Sequence, residues 1–142
     1  MRFWDTSAIV PLLVDQPRSH AIEATLAADD SLVVWWAAPV ECASAIARLE
    51  REGRLAPDAQ SRARDRLEVL GCNWFEIDPG DRLRDVAIRL LRTHPLRGAD
   101  AFQLAAAIVA ADGEPRSLTF VTVDARLALA ASREGFPVLE PN

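Results

Sequence analysis

The chain contains no lysine: all sixteen of its basic residues are arginine. It also has no tyrosine, and only two histidines and two cysteines. Each shortage removes a class of chemistry. A glycine-rich phosphate loop needs its lysine, and receiver domains and haloacid-dehalogenase-like phosphatases also usually combine their acids with one. His20 and His94 give a histidine-based hydrolase triad little support. Cys42 and Cys72 fit no zinc spacing and read as buried, reduced thiols. No apolar run approaches the length of a membrane span. Asp5 and Pro11 interrupt the apolar N-terminal stretch, and no basic lead or small-residue cleavage site follows, so the expected location is cytoplasmic. A GC-rich coding bias accounts for the arginine preference without a functional reason.

What remains is an ordinary globular composition. The 142 residues are half hydrophobic and 26% charged, and 1–142 reads as one domain able to bury a core. The net charge of −5 is unlike the basic footprint of a nucleic-acid binder. Four acids that could share one site account for most of that excess. The balance argues against tight non-specific binding to long duplexes.

Strand and helix signals alternate along the chain. Strands are expected at 2–5, 32–36, 74–77, 118–123 and 136–139. Helices are expected at 6–14, 17–28, 39–53, 57–71, 81–93, 100–111 and 125–134. Prolines 11, 17, 39 and 57 suit helix starts, whereas His94-Pro95 stops a helix. The apolar runs 32–36 and 118–123 have the look of parallel strands buried on both faces. The expected fold is therefore α/β: a central parallel sheet with helices on both sides, three layers in all.

Four acids fall where such a sheet gathers its ligands, at strand ends and helix starts. Asp5 follows the first strand in Asp5-Thr6-Ser7. It could cap the next helix, but Thr6 and Ser7 can also do so, which frees Asp5 to face a cleft. Glu41 lies in the first turn of the helix that Pro39 opens, on a polar face with Ser44, Arg48 and Arg51. That position fits a cleft, or water and the helix dipole. Asp100 begins a helix that is apolar on nearly every side, so its carboxylate needs a partner; Arg97 or a metal ion could serve. Asp124 ends a strand, where a cap is the commoner role. Thr122 points to the same side and either donates to a site carboxylate or is simply a β-branched strand residue. Carboxylates gathered at one edge repel unless a hard cation such as Mg²⁺ holds them.

Together, Asp5-Thr6-Ser7, Glu41, Arg97-Gly98-Ala99-Asp100-Ala101 and Thr122-Val123-Asp124 resemble the PIN domain. The short form resembles the VapC toxin of bacterial toxin–antitoxin pairs, and the likeness runs over essentially the whole chain. It implies a three-layer, PIN-like α/β/α fold. It also implies a Mg²⁺ or Mn²⁺ site built from Asp5, Glu41, Asp100 and Asp124, with Thr122 as an accessory. The implied activity is RNA cleavage, and the implied partners are a second copy and a cognate antitoxin that reaches into the site. The stretch Ala125-Arg126-Leu127-Ala128 departs from the polar or aromatic residues many relatives carry there, so no substrate contact is assigned to it.

On that reading Asp5 and Asp100, with Asp124 nearby, hold the ion that activates water, and Glu41 ligates a second ion or orients the water. Arg48, Arg51, Arg54, Arg89, Arg92 and Arg97 offer positive charge for RNA, although most fit solvated helix faces; Arg97 stands out for its proximity to Asp100. Trp35-Trp36 suggests base stacking, but at least one of the pair should be core. Trp4 and Trp74 also read as core. Ile9, Val10, Leu12 and Leu13 could face a second copy, an antitoxin or the interior. The competing readings are another metal-dependent phosphodiesterase or phosphatase, and a catalytically silent binding module.

Overall fold

A computed structural model describes all 142 residues. Five strands form one parallel sheet: β1 (Arg2–Trp4), β2 (Leu32–Trp35), β3 (Phe75–Ile77), β4 (Thr119–Val121) and β5 (Val138–Leu139). Seven α-helices connect them: α1 (Thr6–Leu13), α2 (Ser19–Ala28), α3 (Ala38–Arg51), α4 (Pro57–Gly71), α5 (Asp81–Thr93), α6 (Gly98–Ala111) and α7 (Ala125–Arg133). A 3₁₀ turn at Pro115–Ser117 leads into β4.

Residue alternation along the strands builds the three layers. Phe3, Val33 and Phe120 point to one face and pack with Leu90 of α5, Leu104 of α6 and Leu127 of α7. Trp4, Val34 and Val121 point to the other, where Ile9 and Leu13 of α1, Ile22 of α2 and Cys42 and Ile46 of α3 cover them. Both faces of the central strands are dry, hence their continuous apolar runs. Between α5 and α7, Glu134 takes Arg89 through both guanidinium nitrogens at 3.0 and 3.1 Å, and contacts buried His94 Nε2 at 2.7 Å. Arg89 holds the Glu134 carboxyl below its usual range. This arginine is thus engaged in a tie between α5 and the end of α7.

The strand order, β3-β2-β1-β4-β5, determines where a ligand can sit. The chain builds outward from β1 to β3, then returns to the other side of β1 to place β4. The winding reverses between β1 and β4, and a crevice opens beyond their carboxyl ends. A backbone bond continues across this junction, from Asp5 N–H to Val121 O at 3.0 Å, and another extends the β4–β5 pairing, from Thr122 N–H to Leu139 O at 3.2 Å.

Several boundaries differ from expectation. The second helix starts at Ser19 rather than Pro17; the Ser19 hydroxyl is bonded to the Pro11 carbonyl at 2.6 Å, which fixes the corner. Pro11 lies inside α1 rather than in its first turn. The fourth strand stops at Val121, and Phe136 packs from the loop before the short β5. Strand β2 ends at Trp35, which is buried, while Trp36 turns outward. Cys72 is exposed, because it falls just past the end of α4 instead of on its packed face; only Cys42 is a buried thiol. Of the α1 residues, Ile9 and Leu13 are core, while Val10 and Leu12 stay half-buried.

Leu104 is fully buried at the centre of the α5–α7 layer. Leu104→Ala should lower unfolding free energy by about 2–5 kcal/mol, read as a reduced urea midpoint at unchanged slope.

Candidate active site

Asp5 leaves β1 in extended conformation and caps α1 with its own side chain. Its Oδ2 collects every protein bond it makes: the Ser7 hydroxyl, the Ser7 N–H at 3.3 Å and the Thr122 hydroxyl at 3.0 Å. The expectation that Thr6 and Ser7 would cap in its place is therefore corrected. An N-cap must accept N–H bonds, and Asp5 is already at the corner, so the two hydroxyls turn to carboxylates instead. The Thr6 hydroxyl donates to Glu41 Oε2 at 2.7 Å. Thr122 lies one residue beyond β4 and is fully buried; it does more than fill a strand position, since its hydroxyl donates to Asp5 and accepts from Asp124 N–H at 3.1 Å. The Ser7 hydroxyl also accepts from Val123 N–H at 3.1 Å, so the ends of β1 and β4 are stitched together.

Glu41 sits in the first turn of α3 and faces a cleft of about 340 Å³, which Thr6, Ser7, Ser44 and Arg48 also line. Gln103 of α6 reaches it from the opposite layer. The Gln103 amide donates to Glu41 Oε2 and to Thr6 Oγ1, the latter at 2.9 Å, while its own Oε1 is buried without a partner. Sequence reasoning did not single out Gln103. The available signal was a lone amide in an apolar helix, one turn after Asp100 and so on the same face.

Asp124 caps α7, accepting from Arg126 N–H at 2.9 Å and Leu127 N–H at 3.1 Å, both on Oδ1. Asp100 is half-buried in the first turn of α6, and its Oδ2 accepts from Arg97 N–H at 3.3 Å. Arg97 is exposed and meets Asp100 through its backbone alone; no guanidinium–carboxylate pair forms between them. Arg97 therefore lacks the side-chain pairing expected of it.

The structure thus forms two side-chain hydrogen-bonded groups joined by the Asp5-Thr6-Ser7 backbone: Asp5, Ser7 and Thr122, with Asp124 attached through its N–H, and Glu41, Thr6 and Gln103. Asp100 is one helical turn from Gln103 and outside both groups. No three acidic, histidine or cysteine side chains are drawn into a tight cluster. Like charges resist such approach, and each carboxylate instead takes the nearest N–H or O–H donor. All four commit a single oxygen in this way. Asp5 Oδ1, Glu41 Oε1, Asp100 Oδ1 and Asp124 Oδ2 accept no protein hydrogen bond. A hard divalent cation takes carboxylate oxygens of this kind, so the donor set fits Mg²⁺ or Mn²⁺.

The electrostatics agree with that fit. Burial raises the Asp5 pKa to about 6 despite the Ser7 and Thr122 hydrogen bonds, and the charge on Glu41 adds to the rise. Burial, Glu41 and Asp5 push the neighbouring Cys42 thiol up to about 12, so it stays protonated and inert.

A PIN domain family model matches residues 2–132. The chain belongs to the PIN domain family. Among solved structures, FitAcB from Neisseria gonorrhoeae is similar, at 20% identity and TM-score 0.68, with 99% of this chain and 98% of that one covered. FitAB bound to an IR36 DNA fragment is similar at the same identity and TM-score, with coverage of 99% and 95%. PAE2754 from Pyrobaculum aerophilum aligns at 21% identity and TM-score 0.61, over 91% of this chain and 78% of that one. At these identities the structures speak for the PIN fold alone. No curated protein shows significant similarity to the chain.

The raised Asp5 pKa has a consequence for stability. A carboxyl whose folded pKa lies above its unfolded value stabilises the fold fully below the unfolded pKa of 3.8, and that contribution is lost as pH rises through about 6. The difference in unfolding free energy between the metal-free wild type and Asp5→Asn should therefore shift by roughly 3 kcal/mol against the wild type between pH about 4 and about 7. Urea titrations of both proteins across that range check it; a constant difference contradicts it.

Proposed function

We propose that this PIN domain is a Mg²⁺- or Mn²⁺-dependent endoribonuclease, the toxin of a toxin–antitoxin pair, which hydrolyses RNA phosphodiester bonds. The observation that carries the reading is four carboxylates at one sheet edge, each keeping one oxygen free of protein bonds while the most buried of them resists ionisation. Asp5, Asp100, Asp124 and Glu41 would hold the metal. When bound, the ion supplies Lewis acidity that makes water a nucleophile near neutral pH and offsets charge on the phosphate oxygens.

The chain's own groups do the positioning. Ser7 and Thr122 fix Asp5 through Oδ2 and thereby aim Oδ1 at the crevice. Thr6 and Gln103 hold Glu41 by Oε2, which leaves Oε1 to orient the attacking water or accept its proton. Arg48 lines the same cleft without an acidic partner and offers its charge to the phosphate. Attack in line with the 3′ oxygen then breaks the P–O bond.

The antitoxin and a second copy are part of the same reading. One of the similar structures is FitAB bound to an IR36 DNA fragment. Leu12, Leu26 and Leu70 line an apolar cleft between α1, α2 and α4 that a partner segment can fill. No helix is long and apolar enough to cross a membrane.

Incubation of the purified protein with single-stranded RNA, DNA and a phosphomonoester in Mg²⁺ or Mn²⁺ tests the proposal. RNA alone should be cut. Asp5→Asn and Asp100→Asn should each reduce cleavage by about 100-fold or more, at or beyond the upper end of what losing an outer-shell partner costs, without lowering the melting temperature at neutral pH. Thr122→Val, which removes the hydroxyl bonded to Asp5 and to the Asp124 N–H, should cost roughly 10–100-fold. Full activity in either aspartate variant overturns the assignment.

A further inference from the structure

At the carboxyl end of β2 lies a shelf of three aromatic rings that the catalytic reading does not use. Trp35 is buried at the end of β2. Phe102 of α6 stacks on it with centroids 5.5 Å apart and planes 12° from parallel, and Trp36 meets it edge-on at 6.4 Å. The two outer rings are exposed, Trp36 to 52% and Phe102 to 37%. The rings border a cavity of about 370 Å³ whose rim includes Pro79, Asp81 and Arg84. Its floor is aromatic and its rim polar, the make-up of a site for a flat ligand with a charged attachment.

Its position ties it to the carboxylates. The β1–β2 register sets Phe3 opposite Val33; carried two residues further it puts Asp5 beside Trp35, the residue before Trp36. Phe102 lies between Asp100 and Gln103 in sequence and shares their helix. A strand of nucleic acid whose phosphate sits at the carboxylates therefore has its neighbouring base within reach of these rings. Both exposed rings rest against buried Trp35, a contact that limits the side-chain freedom lost when a base docks. Arg84 bonds Asp81 at 2.8 Å in a pair that is largely exposed on both sides. Such a pair is weak, and Arg84 can exchange the carboxylate for a phosphate.

We propose that Trp36 and Phe102, braced by Trp35, form a stacking subsite for an unpaired base of the RNA next to the scissile phosphate, with Arg84 on that nucleotide's backbone. The substrate class is then single-stranded RNA or an unpaired loop, because a base held in a duplex cannot present its face. This rests on the nuclease reading for the position of the scissile bond, but base stacking is measurable without cleavage.

The test is tryptophan-fluorescence titration of the whole protein in EDTA with an eight-nucleotide oligoadenylate, its duplex with oligouridylate, and an oligomer carrying one abasic position. The single strand should quench and bind. Trp36→Ala and Phe102→Ala should each weaken binding roughly 5- to 150-fold by polarisation of labelled RNA, while Trp36→Phe restores most of it. Arg84→Ala should weaken it less and flatten its salt dependence. The duplex and abasic probes should bind like the alanine variants. Equal binding by wild type and both alanine variants, or no binding by wild type, overturns the subsite. A fall from dimer to monomer in Trp36→Ala on light scattering, with RNA binding unchanged, assigns the shelf to a second copy and overturns it too. The two readings fail separately. RNA cleaved in Mg²⁺ with no effect of Trp36→Ala sinks the shelf alone. Trp36-dependent binding without cleavage sinks the nuclease alone.

Discussion

Burial of one carboxylate, Asp5, with a second acid, Glu41, nearby is the constraint on which the site depends. Asp5 lies in the crevice between β1 and β4 with Glu41 close enough to raise its pKa further. Desolvating a carboxylate without a compensating charge is costly. The fold does not remove the cost; it limits it with donors. Ser7 and Thr122 serve Asp5, Thr6 and Gln103 serve Glu41, and backbone amides serve Asp100 and Asp124. Every donor falls on one oxygen of its acid. A core selected for stability alone would satisfy both oxygens or replace the acid by an apolar residue.

That arrangement depends on topology. The reversal of winding between β1 and β4 brings the ends of two adjacent strands together with nothing crossing above them. Helix α3 adds Glu41 from one layer and α6 adds Gln103 from the other, so the site is held by both halves of the core. The hydroxyl stitching between Ser7, Thr122 and Val123 crosses more than a hundred residues of sequence. Disturbance of either layer should therefore reach the carboxylates.

Much of this was legible in the residues. Period-two and period-3.6 patterns separated strands from helices, and their alternation implied the parallel sheet. Each of the four acids follows a strand or opens a helix, so its side of the sheet could be read before any coordinates. The details that escaped are those decided by tertiary partners. Whether Asp5 or its hydroxyl neighbours caps α1 depends on where Glu41 and Thr122 arrive, and neither is local. Trp36 continues an apolar run and looks like strand; it is exposed because the chain must turn into α3 after Trp35. Arg97 is close to Asp100 in sequence, yet only its backbone N–H reaches the carboxylate while its side chain stays exposed. Gln103 was missed because a single amide in an alanine-rich helix carries no periodic signal. Its meaning comes only from Glu41 and Thr6 across the sheet edge.

The uncommitted oxygens of Asp5, Glu41, Asp100 and Asp124 are expected to gather around one cation. Anomalous diffraction at the manganese edge from crystals grown in Mn²⁺ tests this most directly. The expected result is a peak about 2.1 Å from Asp5 Oδ1 and from Asp100, with Asp124 or Glu41 completing the oxygen shell. A map with no peak at the β1–β4 crevice, or with manganese bound only elsewhere, contradicts it.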